Sequence, residues 1–295
     1  MVEKISYQYF NQLYIPHVNQ FGFPIVFVTH DFTYEKKKID VGTYKGLTVA
    51  IKSGANLEHE LEMYKKIGHH KNIVKLIAEV EDGKYSYILM EGIKNGITLS
   101  KYCQWSANQT ALSMNVCIQL MKQLASALNH LHALGIIHHD LKSENVLVDF
   151  ERDEIILKLC DFGLSECVDH NGHGKEENRQ LGTYSILAPE QKWQNAVLYN
   201  QPITTKIDVY AFSYLCNTIL LKGRSLEASV RHVPIKLLYL IEQCGMINPH
   251  DRPNMKEIIK IFDHLLSTNL DEEETYHSLI TKINKSQQNT CIELT

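Results

Sequence analysis

The spacing of hydrophobic positions changes part-way along this 295-residue chain, near residue 95. Before that point, short apolar runs at 47–52, 73–80 and 85–90 indicate β-strands, and Asp82-Gly83 between the last two is a strong hairpin signal. Residues 57–67 lie between these runs and are helical by composition. The stretch 1–30 gives no clear element apart from a short run at 25–29 that would suit a strand.

After residue 96, apolar positions recur every three or four residues, which is the period of an amphipathic helix. Residues 112–134 predict a long helix, with Ser113 as its N-cap and Gly135 just beyond its end. Three further helices are predicted downstream, at 207–221, 235–244 and 255–266. The fold class is therefore α+β, with a small β-rich half followed by a larger helical half and a hinge near 91–95.

This change of pattern also divides the chain. We expect an N-terminal extension at 1–30, a small lobe at 31–92, a helical lobe at 93–268 and a polar tail at 269–295. The tail begins with an acidic run and carries no apolar period, so a solvated helix end is its simplest interpretation.

Composition narrows the functional classes. The chain is 44% hydrophobic and 22% charged, as in ordinary globular proteins, and its net charge of −4 gives no support for a nucleic-acid partner. No apolar stretch of about 18 residues predicts a membrane span, and the N-terminus lacks a signal-peptide core. The seven scattered cysteines form no C-x-x-C pair, which favours reduced thiols and a cytoplasmic location. The sequence leaves the oligomeric state open.

Candidate chemistry concentrates in His138-His139-Asp140-Leu141-Lys142-Ser143-Glu144-Asn145. An Asp and an Asn five residues apart on a tight loop can aim both groups into one cleft, and Asp161 follows as a second acidic group. Apolar residues around 146–148 and 155–159 predict a β-hairpin that presents these loops. Upstream, Val49-Ala50-Ile51-Lys52 places a lysine on a strand. Phosphoryl transfer needs this combination of a carboxylate for a hydroxyl, oxygen ligands for Mg²⁺ and a cation for phosphates.

Four motifs together resemble the eukaryotic-type protein kinases. The family's H-R-D-x-K-x-x-N loop is matched by residues 138–145, its D-F-G by 161–163, its A-P-E by 188–190 and its V-A-I-K by 49–52. They occur in order and at family-like spacing across residues 35–266. The resemblance implies a bilobed protein-kinase-like fold and an ATP- and Mg²⁺-dependent enzyme. Lys142 resembles the lysine of the serine/threonine branch, so the implied substrate is a protein serine or threonine. Within that branch, the chain resembles the tyrosine-kinase-like group.

The resemblance also implies a role for each matched residue. Asp140 would be the catalytic base, Lys142 would contact the γ-phosphate, and Thr183 would bridge these two. Asn145 and Asp161 would ligate Mg²⁺. Lys52 would neutralise the α- and β-phosphates and pair with a glutamate of the first helix. Glu60 is preferred over Glu58 and Glu62, because Tyr64 would then stack above Phe162.

The nucleotide base and two structural anchors complete the implied assignments. Adenine would bind hinge backbone around Glu91–Ile93 beside the gatekeeper Met90. Ala50 and Leu147 would sandwich the ring. Arg252 would form a buried pair with Glu190, and Asp208 would open a helix as a second anchor.

The glycine-rich loop departs most from the family pattern. Gly42 is assigned as its third glycine, which puts Lys37 and Ile39 at the first two positions. Glycine there lets backbone amides approach phosphates closely. Isoleucine hinders that approach, and we expect Lys37 and Lys38 to compensate with charge.

Two other departures concern regulation. His139 replaces the family's arginine, which usually meets a phosphate on the activation segment. Because histidine carries little charge at neutral pH, we expect activity without phosphorylation of that segment. Only eight residues lead from Lys52 to Glu60, so the first helix is expected to stay near its active position. The short stretch between Gly223 and Cys244 leaves substrate choice open.

Three alternatives remain open at this point. The loss of two glycines from the glycine-rich loop favours a pseudokinase that acts as a nucleotide-binding scaffold or interaction module. An H-x-D-x-x-x-x-N-like loop also occurs in small-molecule kinases of the aminoglycoside type, although Thr183 and the A-P-E motif argue against that class. Cys167, His170 and His173 have metal-like spacing, with Cys160 nearby, and a zinc site usually needs four ligands in a tetrahedral array. A mobile polar loop is the preferred interpretation of that segment.

Overall fold

The computed structural model describes most of the chain. The described residues are 3–6, 14–16, 26–30, 36–54, 57–82, 85–93, 97–107, 112–151, 154–192, 200–221, 233–268 and 275. All structural statements concern these residues.

The N-terminal half is built on one twisted sheet to which seven of the described strands contribute. Its order is β1-β6-β7-β5-β4-β2, with β3 also paired to β4. Neighbouring strands run antiparallel, except that β1 pairs with β6 in parallel. The strands are β1 Glu3–Ser6, β2 Tyr14–Pro16, β3 Val26–His30, β4 Lys36–Tyr44, β5 Leu47–Ser53, β6 Leu76–Asp82 and β7 Tyr85–Glu91.

Alternation along β5 decides which side chains reach the cleft. Val49 and Ile51 are buried in an apolar cluster on one face of the sheet, with Ala78, Val80 and Leu89. Ala50 and Lys52 therefore project from the other face. There the sheet packs against helix α1, Glu58–Ile67, whose Leu61 and Tyr64 are buried in the main core.

The C-terminal half is mainly helical. Helix α3 (Met114–Ala133) lies in its centre and packs against α4 (Lys206–Leu221), α6 (Met255–Ser267) and strand β11 (Glu154–Leu159). Ser113 caps α3 by accepting a hydrogen bond from the Val116 amide, and Gly135 follows the helix end with a positive φ of 67°, as expected. The helices are α2 Leu99–Ala107, α3 Met114–Ala133, α4 Lys206–Leu221, α5 Ile235–Cys244 and α6 Met255–Ser267.

Two small sheets carry the loops between the lobes. β8 Ile97–Thr98, β10 Val146–Glu151 and β11 Glu154–Leu159 form one sheet, and β9 Ile136–Ile137 pairs with β12 Glu166–Cys167 in the other. The β10–β11 hairpin is the one predicted from the sequence. It sets residues 138–145 before β10 and residues 160–165 after β11, so that the two loops lie side by side.

The predicted α+β fold with a β-rich lobe before a helical lobe is confirmed. The structure adds strands β1 and β2 and helix α2, which the sequence pattern did not predict, and it joins β1, β2 and β3 to the main sheet. The proposed boundaries at 30, 92 and 268 remain predictions. The polar tail lies outside the described residues apart from Thr275, which forms an isolated bridge with Pro234.

Candidate active site

Lys52 is the cation at the centre of the site. Its Nζ donates to Glu60 Oε1 of α1 at 2.8 Å and to Asp161 Oδ1 at 2.9 Å. Burial alone would lower the pKa of Lys52, but the two carboxylates outweigh burial and raise its pKa above the ordinary value. Lys52 therefore stays charged. Glu60 is the partner that the sequence analysis preferred, whereas Glu58 and Glu62 are exposed.

Asp140 collects three donors around its carboxylate. Lys142 Nζ donates to Oδ2 at 2.6 Å, Asn145 Nδ2 donates to Oδ2 at 3.0 Å, and Thr183 Oγ1 donates to Oδ1 at 2.8 Å. Lys142 also donates to Thr183 Oγ1 at 3.2 Å. The expected bridge from Thr183 to Asp140 and Lys142 is thus present. It joins the loop before β10 to a segment well beyond β11 in the chain.

Asn145 and Asp161 are brought together by backbone pairing. The amide of Cys160 donates to the carbonyl of Asn145 at 2.9 Å, and Asp161 follows directly. Because Asn145 Nδ2 is used on Asp140, its amide oxygen is the atom left to act as a ligand. Asp161 has a positive φ of 65° and keeps about a third of its side chain exposed.

A stack of rings connects the lobes behind these groups. Tyr64 of α1 meets Phe162 edge-on, with 4.9 Å between ring centroids, and His138 meets the same Phe162 at 5.2 Å. The predicted contact of Tyr64 with Phe162 is confirmed. Burial of all three side chains ties the position of α1 to that of the loop.

Asp208 holds the backbone of that loop. Its carboxylate accepts from the amides of His138 at 2.9 Å and His139 at 3.1 Å, and its Oδ2 also lies 3.0 Å from His132 Nε2. Burial would raise the pKa of Asp208, but the hydrogen bond and charge of His132 lower it below the usual value. His132 was not predicted, because its partner lies on a different helix, far along the chain.

The segment from 161 to 190 closes against the helical lobe. Arg252 donates to Glu190 through both terminal nitrogens, at 2.6 and 2.7 Å, and both side chains are fully buried. The expected pair is therefore present. Arg179 adds a hydrogen bond from NH1 to the Glu190 carbonyl at 2.9 Å. The carboxyl end of the segment is thus anchored where it approaches Asp140.

Comparison with known proteins identifies the family to which the chain belongs. A family model described as the protein kinase domain matches residues 35–287, which is most of the chain. The chain belongs to the protein kinase family. Its relatives include kinases of the eukaryotic type, in agreement with the resemblance carried by the four motifs.

Three relatives illustrate the range of proteins to which this chain is similar. A putative mitogen-activated protein kinase kinase kinase 7-like protein of Drosophila melanogaster is 28% identical over 267 residues, covering 82% of this chain and 63% of that protein. The serine/threonine/tyrosine-protein kinase HT1 of Arabidopsis thaliana is 28% identical over 279 residues, covering 83% and 67%. A probable serine/threonine-protein kinase 2 of Plasmodium falciparum is 25% identical over 328 residues, covering 96% and 59%. The chain thus spans about three fifths of the length of the Drosophila and Plasmodium relatives.

The predicted hinge residues Glu91–Ile93 lie at the end of β7. The Glu91 side chain accepts from Lys158 Nζ at 3.1 Å and from the Lys75 amide at 2.7 Å, so β11 and the residue that precedes β6 both hold it. A Cβ on Gly92 would lie 2.8 Å from the Val49 amide, so only glycine fits against β5 there. Met90 is buried beside Ala50, its partner across the sheet, and Leu147 is half-buried on β10.

The glycine-loop assignment is placed differently from what the sequence suggested. Gly42 lies inside β4, directly opposite Val49 of β5, and not in a turn. The β3–β4 connection falls at 31–35, outside the described residues, and so do the side chains of Lys37 and Lys38. This pairing does not favour Gly42 in a phosphate-binding loop. It sets Ile39 opposite Lys52 and Val41 opposite Ala50, so Val41 is a cleft residue that the motif alignment missed.

The segment with metal-like spacing forms a hydrogen-bonded turn. Asp169 Oδ1 accepts from the amides of Asn171 and His173, each at 2.8 Å. Within the described part of the chain, no three His, Cys, Asp or Glu side chains are grouped to hold a metal ion. The six cysteines described there are free thiols, and no helix of that part is long and apolar enough to cross a bilayer.

Proposed function

We propose that this chain is an ATP-dependent protein kinase that transfers the γ-phosphoryl group to serine or threonine hydroxyls of protein substrates. The observation that supports it best is the cluster around Asp140. Its carboxylate lies within 3.0 Å of donors on Lys142, Asn145 and Thr183. This is the point where the activation segment, residues 161–190, crosses the catalytic loop, residues 138–145.

On the acceptor side, Asp140 would orient the hydroxyl and take its proton. Such positioning, and not covalent chemistry, carries most of the catalysis of phosphoryl transfer. Lys142 would neutralise charge on the γ-phosphate, and its hydrogen bond to Thr183 favours a serine/threonine acceptor, since lysine at this place typifies that branch of the family.

On the nucleotide side, Lys52 would bind the α- and β-phosphates while Glu60 keeps its amine in place. The donor set fits Mg²⁺, because Asp161 presents a partly exposed carboxylate and Asn145 presents an amide oxygen, both hard ligands. When bound, Mg²⁺ would neutralise charge on the phosphates. The adenine would lie between Ala50 and Leu147, against Met90 and the backbone of Glu91 to Ile93.

The test compares wild type with Asp140→Asn, using ATP labelled at the γ-phosphate, Mg²⁺ and a generic protein acceptor. Wild type should label serine or threonine, and Asp140→Asn should lose about 10²-fold or more of the rate, the usual contribution of a positioned base. Asp263→Asn, an exposed site on α6, is the matched control and should keep the wild-type rate. Label on tyrosine alone would contradict the assigned acceptor, and equal silence of wild type and Asp140→Asn would contradict the activity.

A second candidate, a pseudokinase that binds nucleotide without transferring phosphate, is favoured by one observation. The sequence between β3 and β4, Asp31-Phe32-Thr33-Tyr34-Glu35, contains no glycine, the residue that lets backbone amides approach phosphates most closely. Direct measurement of ATP binding separates the two functions. Binding with no transfer would favour the scaffold, whereas binding together with Asp140-dependent transfer would favour the enzyme.

A further inference from the structure

Glu166 is a buried carboxylate five residues beyond Asp161, and no motif assigns it a role. Its Oε1 accepts from His139 Nε2 at 2.8 Å and from the Lys175 amide at 3.1 Å, and its Oε2 accepts from Asn178 Nδ2 at 2.6 Å. One donor belongs to the catalytic loop, and the others belong to the next stretch of the activation segment. Glu166 therefore joins the loop to that segment.

The charge state of Glu166 makes this junction directional. Burial would raise its pKa, but the hydrogen bonds from His139 and Asn178 outweigh burial and hold the pKa below the usual value. Glu166 is thus ionised at neutral pH and can only accept hydrogen bonds. Its partner His139 must carry a proton on Nε2, which fixes the orientation of a side chain with no exposed surface.

The backbone packs tightly around Glu166, and two glycines of the activation segment have no space for a side chain. A Cβ on Gly174 would lie 2.4 Å from Glu166 Oε1, so only glycine lets the segment pass the carboxylate. Gly182 has a φ of 114°, and a Cβ there would lie 2.4 Å from the His139 carbonyl. The activation segment therefore passes close to Glu166 at Gly174 and close to the His139 carbonyl at Gly182.

His139 in turn precedes Asp140 and has a left-handed backbone, with a φ of 68°. A non-glycine residue adopts this conformation only when its surroundings hold it there. Asp208 holds the His139 amide at 3.1 Å, and Glu166 holds its ring at 2.8 Å. The direction in which the chain delivers Asp140 depends on both.

We propose that Glu166 is a positioning residue for Asp140, acting through His139, and that its built-in carboxylate locks the activation segment where related kinases use a phosphate. Residues 166–182 contain no serine, threonine or tyrosine, so this stretch offers no hydroxyl for such a phosphate. The inference rests on the proposed function.

The test uses Glu166→Gln, which removes the charge but keeps the shape, and Glu177→Gln as a matched control at an exposed position of the same segment. In Glu166→Gln, kcat should fall about tenfold or more, as expected for lost hydrogen bonds to a charged group. KM for ATP should stay near the wild-type value, because Lys52, Glu60 and Asp161 are untouched. Glu177→Gln should match wild type in both constants. Equal kcat values in the two variants would overturn the proposal.

A cycle with His139→Gln tests the route. If Glu166 acts through His139, the double variant should lose no more kcat than the more damaged single variant. Independent, multiplying losses would overturn the route. Asn178→Ala removes only one donor and serves if Glu166→Gln does not fold, with a smaller fall in kcat and unchanged KM for ATP expected. An unchanged kcat in Asn178→Ala would then count against the proposal.

Amide hydrogen exchange provides a readout that does not need turnover. Residues 137–141 and 174–182 should exchange faster in Glu166→Gln than in Glu177→Gln, and identical exchange would overturn the lock. If wild type transfers no more phosphate than Asp140→Asn, the proposed function is wrong. Amide hydrogen exchange would still decide whether Glu166 holds the activation segment in place. If wild type is active and Glu166→Gln leaves kcat unchanged, only this inference is wrong.

Discussion

Lys52 depends on two carboxylates with different surroundings. Glu60 is buried with Lys52, whereas Asp161 keeps about a third of its side chain exposed. Glu60→Gln should therefore remove the better-shielded charge. We expect a loss of about 1–3 kcal/mol in the free energy of unfolding, the range for a hydrogen bond to a charged group. A fall in ATP affinity should accompany it, because the amine of Lys52 is then held from one side only.

Denaturant unfolding and an ATP-binding titration measure the two effects. Glu62→Gln is the matched control, since Glu62 lies on the same helix but is exposed, and it should leave both quantities unchanged. A Glu60→Gln protein with wild-type stability and ATP affinity would show that the pair has no role in nucleotide binding.

The sequence could select Glu60 only through the family pattern. Glu58, Glu60 and Glu62 have the same chemistry, and periodicity alone cannot tell which one faces β5. Glu166 shows the opposite limit. Its donors lie 9, 12 and 27 residues away, so no local pattern marks it as buried. Local sequence predicts side chains whose partners are set by helix or strand period, and it misses those whose partners are brought together by the fold.

The end of α1 is attached to α3 through two histidines. His70 Nδ1 accepts from the Asn72 amide at 3.1 Å, its Nε2 lies 3.2 Å from Ser126 Oγ, and its ring stacks on His130 with 5.0 Å between centroids. His130 Nε2 donates to the Ile67 carbonyl at 2.8 Å. Burial, followed by the charges of His130 and His69, lowers the pKa of His70 below its usual value.

This attachment should weaken in mild acid. Because the pKa of His70 is lower in the folded than in the unfolded chain, the unfolded chain binds more protons as pH falls through about 6.5. The stabilisation from neutral His70 is complete above that pH and is lost below it. His70→Asn keeps an acceptor for the Asn72 amide but does not titrate, so its melting temperature should fall less between pH 7.5 and 5.5 than that of wild type.

Thermal unfolding at a series of pH values measures this difference. His250→Asn, at an exposed position far along the chain, should follow the wild-type curve. Parallel curves for wild type and His70→Asn would rule out His70 as a source of the pH dependence. The carboxyls of Glu166 and Asp208 do not interfere in this window, because their lowered pKa values confine their titration to more acidic pH.

Whole elements were predicted where a single period dominates. Helix α5 begins and ends at the predicted residues 235 and 244, and β5 extends only one residue beyond the predicted run at 47–52. Strand β1 was missed, because its stability comes from parallel pairing with β6, which follows only after four other strands and a helix. Helix α2 was missed because its nine residues follow the hinge without a long apolar period, although Thr98 caps it by accepting from the Lys101 amide at 3.3 Å. Tertiary pairing decided these two elements, and local propensity did not.

Contacts from α1 and Lys52 to residues 161–165, the start of the activation segment, help to join the two lobes. Lys52 pairs with Asp161, Tyr64 meets Phe162 edge-on, and His59 Nε2 lies 2.6 Å from the Ser165 carbonyl. Outward movement of α1 would break the last two and the Lys52–Glu60 pair together. These contacts hold α1 against the start of the activation segment, in keeping with the short link between Lys52 and Glu60.

This arrangement predicts that the proposed activity survives complete dephosphorylation. The segment from 161 to 190 contains four hydroxyl side chains. Ser165 is buried and Thr183 is bonded to Asp140, which leaves Tyr184 and Ser185 as the exposed acceptors. Treatment of purified protein with a broad-specificity phosphatase, with intact mass confirming that no phosphate remains, should leave the rate of phosphoryl transfer unchanged. Ser185→Ala should match it, whereas loss of activity on dephosphorylation would mean that a phosphate, and not Glu166, completes the active segment.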